Sequence, residues 1–204
     1  MLPTREQALK ILEEANACNP GPWKNHSLVA ASCAAYIAAE CDGMDAGKAY
    51  ILGLLHDIGR KFGIGHLSHV IDGYHYMMEL GYEEAAKICI THSFNIKDIN
   101  VYIGNHDVSA ADHQEIIDLM AGYEYDDYDL LIQLCDSVAL PEGPADIEVR
   151  MGDVKKRYGR FPKEKWMKGI EIKEYFEAKM GKSISDVTDR FYREGENTGT
   201  AAFT

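Results

Sequence analysis

Apolar residues recur through most of the chain at the three- and four-residue spacing that is typical of α-helices. Between residues 26 and 41, for example, Val29, Cys33 and Ile37 fall on one helical stripe, and His26 stands at the head of that stripe. No segment alternates apolar and polar residues in the way that predicts a half-buried strand. The pattern therefore predicts an all-α fold.

Capping residues and helix-breaking segments divide this pattern into separate helices. Thr4 and Gln7 have the spacing of a capping box, while Asp45 and Ser68 are placed to cap two later helices. The prolines of CNPGPWKN and LPEGP interrupt the helical pattern. We expect a helical core in residues 1–145, peripheral helices in residues 146–193 and a flexible tail in residues 194–204.

The composition excludes several classes of function. The chain has 204 residues, of which 46% are hydrophobic, enough for one compact domain with a core. Its net charge of -12 argues against long nucleic acids as partners, because these require a basic surface. No apolar stretch is long enough to cross a membrane, and the segment MLPTREQALK does not have the pattern of a secretory signal. Five dispersed cysteines indicate reduced thiols, so we expect a cytoplasmic location, whereas the oligomeric state stays open.

Several polar residues occur where the helical pattern places a buried side chain. His56 and Asp57 end the apolar run of YILGLLHDIG, and Asp136 lies inside LIQLCDSVAL, whereas a second His-Asp pair in GNHDVS lies in a polar stretch. A buried carboxylate without a cation or several donors is costly, so these side chains need partners. One shared metal site would satisfy all the residues of this kind, which are His26, His56, Asp57, His69, His92 and Asp136. Imidazole and carboxylate ligands indicate Fe, Mn, Zn, Co or Ni rather than Ca.

The ordered set His26, His56-Asp57 and Asp136 resembles the HD superfamily of metal-dependent phosphohydrolases, in its HDIG-type form. LLHDIGR is similar to the signature of that superfamily and LIQLCDSV to its final aspartate helix, and the resemblance covers residues 24 to 142. It implies a helical bundle in which these four residues bind one divalent metal.

The resemblance extends to the members of the superfamily that hold two metals. These members add two histidines between the His-Asp pair and the last aspartate, and His69 and His92 match those positions. His75 is a rival for the first of them, but His69 begins its helix and has the better match in HVIDG. The resemblance therefore implies one or two divalent transition metals, with Asp57 bridging two ions where both are bound.

The resemblance also implies a reaction, in which a metal-activated hydroxide hydrolyses a phosphoester or phosphoanhydride. The expected substrate is a small phosphorylated metabolite or a nucleotide. Arg60 and Lys61 follow the His-Asp pair and are candidates for catalysis with Asp57 and for binding phosphate, with Arg60 favoured and Lys24 a weaker candidate. Two alternatives stay open: a di-iron oxygenase of the same superfamily, and a module that only binds or senses a metal or ligand.

Overall fold

The computed structural model describes residues 1–197, and these residues form an all-α fold, as the periodicity predicts. Residues 198–204, which belong to the predicted tail, lie outside the described residues. The α-helices described are α1 (Arg5–Cys18), α2 (Trp23–Ala39), α3 (Ala46–Leu55), α4 (Ser68–Glu79), α5 (Glu83–Thr91), α6 (Ala110–Gly122), α7 (Asp127–Val138), α8 (Ile147–Tyr158), α9 (Lys163–Met180), α10 (Ile184–Thr188) and α11 (Arg190–Asn197). Short 3-10 helices span Ile58–Phe62 and Ile99–Val101.

One small hairpin departs from the purely helical prediction. Strand β1 (Ala139–Leu140) pairs antiparallel with β2 (Gly143–Pro144), so that Ala139 lies opposite Pro144 and Leu140 opposite Gly143. Strands of two residues are too short to show an alternating pattern, so the sequence predicts only a break at LPEGP. The hairpin directly follows α7.

Two of the three predicted helix caps are confirmed. The Thr4 hydroxyl accepts a hydrogen bond from the Gln7 amide at 3.2 Å, and the Gln7 side chain accepts one from the Thr4 amide at 2.8 Å. Asp45 accepts a hydrogen bond from the Lys48 amide at 2.7 Å. These contacts satisfy N–H groups that have no partner within α1 and α3.

The start of α4 differs from its prediction, because Ser68 is the first helical residue and does not cap the helix. Instead Asp107, from the loop between α5 and α6, accepts hydrogen bonds from the amides of Ser68 at 3.0 Å and His66 at 2.7 Å. A long-range partner of this kind leaves no local pattern in the sequence. The His-Asp pair of GNHDVS is exposed, and its aspartate stabilises the beginning of α4.

Helix α2 is central and packs against both α3 and α7. Its predicted stripe of Val29, Cys33 and Ile37 is buried, with at most 2% of each residue exposed. Gly53 lets α3 approach closely, since a Cβ atom there would lie 2.8 Å from Cα of Ala31. This packing brings together the three elements that carry His26, His56 and Asp136.

The C-terminal helices lie against the outside of α7 and α2 and join the same core. Helices α8 and α9 contact α7, and α10 contacts α2. Ile147, Met151, Ile172 and Phe176 belong to the buried cluster that contains the α2 stripe. No helix in the described part of the chain combines the length and the apolar character that a bilayer crossing requires.

Candidate metal centre

His26, His56 and Asp136 form the first group of ligand-type side chains. His26 Nε2 lies 3.2 Å from His56 Nε2 and 3.0 Å from Asp136 Oδ1, and His56 Nε2 lies 3.8 Å from the same oxygen. The other ring nitrogen of each histidine faces a carbonyl, since His26 Nδ1 lies 3.2 Å from Ala139 O and His56 Nδ1 lies 2.7 Å from Gly53 O. A carbonyl only accepts, so each Nδ1 carries a proton, and in the neutral ring Nε2 is the nitrogen that could ligate a metal ion.

A second group lies beside the first and is formed by Asp57, His69 and His92. Asp57 Oδ1 lies 3.1 Å from His69 Nε2 and 3.7 Å from His92 Nε2, and the two Nε2 atoms are 3.3 Å apart. The same orientation is present here, because His69 Nδ1 contacts the His66 carbonyl and His92 Nδ1 lies 3.0 Å from the Ile88 carbonyl. All four histidines therefore direct Nε2 towards a carboxylate.

Asp57 is shared by two buried ligand sets, one with His26 and His56 and one with His69 and His92. Its position follows from the chain path, because α3 ends at Leu55 and the first 3-10 helix begins at Ile58. His56 and Asp57 thus sit at a junction between two helices, and only 4% of Asp57 is exposed. The cluster is consistent with a site for a divalent metal.

The carboxylates have pKa values that keep them ionised. Burial favours the neutral form of Asp57, but Arg60 and His69 outweigh burial and hold the pKa of Asp57 well below its usual range. Burial acts in the same direction on Asp136, but hydrogen bonds from the two histidines of the first group hold its pKa well below the usual range. A metal ligand must be deprotonated, so both carboxylates are in the state that ligation requires.

One histidine in each group has a shifted pKa. Burial and repulsion from His56 and His69 lower the pKa of His92 to about 3, so this imidazole is neutral. Burial lowers the pKa of His56, but the hydrogen bond to Asp136 and the charge of Asp57 reverse this effect and raise it overall. A cluster of this kind, with anionic carboxylates held against imidazole rings, is one that a bound cation would neutralise.

The predicted phosphate-binding residues do not all reach this cluster. Arg60 does, since its Nε donates a hydrogen bond to Asp57 Oδ2 at 2.6 Å. Lys61 instead places Nζ over the ring of Tyr76, 3.8 Å from its centroid. Lys24 forms an ion pair with Glu13 at 2.6 Å. The structure therefore brings Arg60 to the site and directs both lysines elsewhere.

His75, the rival to His69, is also directed away from the cluster. Its Nε2 lies 3.0 Å from Glu115 Oε1, and half of its side chain is exposed. His69 is only 3% exposed. Of the two histidines, His69 is the one that the structure places beside Asp57.

A cleft with two lobes lies over the cluster. The lobes meet at Asp57, Arg60, Asp136 and Arg150. The inner lobe, of about 190 Å³, extends past His92 and is lined further by Ser93, Asn95, Gln133 and Lys165. The outer lobe, of about 470 Å³, extends past His26 and is lined further by Trp23, Ile64 and Pro141.

Helix α8 supplies a wall of the cleft that the sequence did not predict. Arg150, Val154, Arg157 and Tyr158 line the inner lobe and share one helical face. Arg150 Nε donates to the Ala139 carbonyl at 3.3 Å. The only signal in the sequence is a run of cations in an acidic chain, and that signal is equally typical of a solvated helix face.

The fold and the buried histidine–aspartate cluster define a candidate divalent-metal protein. Residues 23–140, more than half of the chain, match the model of the HD domain family, and the chain belongs to that family. The matched segment contains every residue of the two ligand groups, whereas Arg150 and Lys165 lie beyond it. No curated protein and no solved structure matches the chain.

Proposed function

We propose that the protein is a metal-dependent phosphohydrolase that acts on a small phosphorylated metabolite or a nucleotide. The observation that carries the proposal is the pair of ligand groups around Asp57, placed at the floor of a cleft with arginines on its walls. Divalent ions bound there would lower the pKa of water and polarise phosphoryl oxygens. Family membership supports metal binding, and the arginines that line the cleft support a phosphorylated substrate.

Two sets of side chains would hold the metal. One ion would be held by His26, His56, Asp57 and Asp136. A backbone carbonyl that faces Nδ1 fixes the ring of each of the two histidines. Asp57 could also serve a second ion together with the histidines at positions 69 and 92. Carbonyl-oriented imidazoles and ionised carboxylates are donors that suit Fe, Mn, Zn, Co or Ni.

Arg60 is the first candidate for binding the phosphoryl group. Asp57 fixes its position by accepting a hydrogen bond from Nε, and Nη1 makes only a long contact of 3.4 Å with the Gly65 carbonyl. The guanidinium group lines both lobes at their junction. It can therefore donate to a phosphoryl oxygen while Asp57 holds it in place.

Arg150 is the second candidate, and it is supplied by α8. Its Nη1 is buried without a hydrogen-bond partner among the described residues, and Asp153 Oδ2 lies 3.7 Å away. A buried N–H of a cation without an acceptor is costly. A phosphoryl oxygen between Arg60 and Arg150 would remove that cost.

The proposed substrate is small because the inner lobe holds more cations than carboxylates within an acidic protein. The net charge of -12 repels long polyanions, while the cleft gathers Arg60, Arg150 and Arg157. A field of this kind attracts a compact anion.

Phosphate release from a panel of phosphoesters, measured with protein loaded with Mn or Fe, tests the proposal. Arg60→Ala should lower turnover by about 10²-fold or more without removing metal, because this residue serves the substrate. Lys61→Ala is the matched control, since Lys61 packs on Tyr76. No hydrolysis by the metal-loaded protein, together with oxygen uptake on a hydroxylated or phosphonate substrate, would replace hydrolysis with an oxygenase reaction.

The number of metals is tested separately by metal analysis of wild type, His69→Ala and His92→Ala. Two equivalents in wild type and one in each variant would support a two-metal centre. One equivalent in all three proteins would restrict the metal to the first group.

A further inference from the structure

Lys165, in α9, is a cation that lines the inner lobe of the cleft. Its Nζ donates a hydrogen bond to the Ser93 carbonyl at 2.6 Å, and Asn95 Nδ2 donates to the Lys165 carbonyl at 3.0 Å. The side chain lines the inner lobe only, whereas Arg60 and Arg150 line both lobes. Lys165 therefore lies in the part of the inner lobe that the outer lobe does not share.

The ammonium group of Lys165 has a neutral hydrogen-bond partner. The carboxylate that acts on it electrostatically is Asp136, which is already engaged by His26 at 3.0 Å. Burial lowers the pKa of Lys165 to about 8. A buried cation bonded to a carbonyl alone is poorly compensated, and an anion in the lobe would compensate it.

The inner lobe also contains groups that suit a polar ligand. Ser93, Asn95 and Gln133 line it beside Lys165. The Gln133 amide is fixed, because its Nε2 donates to the carbonyls of Thr91 at 2.9 Å and Phe94 at 3.3 Å. The walls of this lobe are thus preorganised around the ammonium group rather than free to collapse onto it.

We propose that Lys165 binds a second anionic group of the substrate, in the inner lobe, while the phosphoryl group lies at the junction near Arg60 and Arg150. The substrate is then a small phosphate ester that carries a carboxylate or a second phosphate on the same carbon skeleton. This inference rests on the proposed function, because it takes the phosphoryl group to lie over the ligand groups.

Calorimetric binding of phosphonate analogues to the Mn-loaded protein tests the proposal. These analogues cannot be hydrolysed, so affinity is separated from turnover. The probes are 3,4-dihydroxybutylphosphonate, 2-hydroxy-4-phosphonobutanoate, which replaces its terminal CH₂OH by a carboxylate, and 2-hydroxybutane-1,4-bisphosphonate. The added anion should raise affinity by about tenfold or more in wild type, and the larger of the two gains identifies the carboxylate or the phosphate as the preferred group.

Lys165→Met should reduce that gain to about twofold or less, whereas Lys165→Arg should keep part of it. Lys168→Met is the matched control, because this lysine of the same helix pairs with Glu171 at 3.0 Å and does not line the cleft. In this control the gain should stay as in wild type.

A purely structural role for Lys165 makes a different prediction. Asn95→Ala removes the other hydrogen bond between the same two segments and leaves the ammonium group in place. If Lys165 only ties α9 to the loop, Lys165→Met and Asn95→Ala should weaken all the probes alike. If Lys165→Met lowered the affinity equally for the probe with one anionic group and for the probes with two, the proposal would be overturned, even in a folded protein. Absence of phosphate release with the binding difference intact would instead overturn only the hydrolase reaction.

Discussion

Replacing Gly59 with alanine should separate the first 3-10 helix from α4 and disrupt the second ligand group. A Cβ atom at this position would lie 2.0 Å from the carbonyl oxygen of His69 and 2.5 Å from the amide nitrogen of Gly73. Gly59 does not have a positive φ, so its backbone conformation accepts alanine and the conflict is one of space. Both contacts are backbone atoms of α4, which a rotamer change cannot move.

The size of the effect follows from these distances. Contacts of Cβ below 3.0 Å are essentially never observed, so the two segments must separate by roughly 1 Å. Metal–ligand distances tolerate only about 0.2 Å. The carbonyl in conflict belongs to His69 itself, so this ligand would move relative to Asp57. Overpacking of this kind costs about 1–3 kcal/mol of the free energy of unfolding.

Gly152→Ala is the control, because Gly152 lies within α8 and a Cβ atom there would have no neighbour within 4 Å. This change should leave stability unchanged or raise it by up to about 1 kcal/mol. Urea denaturation measures stability, and metal analysis after loading with Mn measures occupancy. Wild-type stability together with wild-type metal content in Gly59→Ala would refute the close approach described for Gly59.

Three further predictions concern the charged groups. Lys87→Met should lower the free energy of unfolding by about 3–5 kcal/mol in urea denaturation, because it leaves the fully buried Asp129 without the cation that lies 2.6 Å away. Asp136→Ala should reduce the metal content while the helical dichroism spectrum is kept, since it removes a ligand and not a core side chain. The pKa of Lys165 in the folded protein, about 8, is below the ordinary lysine value of 10.5, so the unfolded chain binds more protons between these values. The stability of wild type relative to Lys165→Met should therefore rise between about pH 8 and pH 10.5, and a flat difference in denaturant unfolding would contradict the burial of this group.

The fold and the ligand cluster could be predicted because both rest on local rules. The α2 stripe of Val29, Cys33 and Ile37 follows from the helical period, which is set by backbone geometry alone. His56 and Asp57 stand out because a buried polar group needs a partner, and this requirement is visible at the end of an apolar run. The resemblance to a known family then predicts that these residues share one metal site.

The cationic walls could not be predicted in the same way. Arg60 and Lys61 are adjacent in the sequence, yet one contacts Asp57 and the other packs on Tyr76, because successive residues of a helical turn point in different directions. Arg150 belongs to a run of cations whose spacing is typical of a solvated helix face. Its role depends on where α8 crosses the cleft, and that is a consequence of tertiary packing.

The carbonyl of Ala139 contacts both sides of the cleft. It lies 3.2 Å from His26 Nδ1 and accepts a hydrogen bond from Arg150 Nε at 3.3 Å. A point substitution at position 139 retains this oxygen, since every amino acid supplies a main-chain carbonyl. The relative alignment of a ligand ring and a cleft guanidinium is thus encoded in the path of the backbone through the hairpin. We expect this alignment to be kept when side chains of the hairpin are changed. Insertions or deletions between β1 and β2 should disturb it.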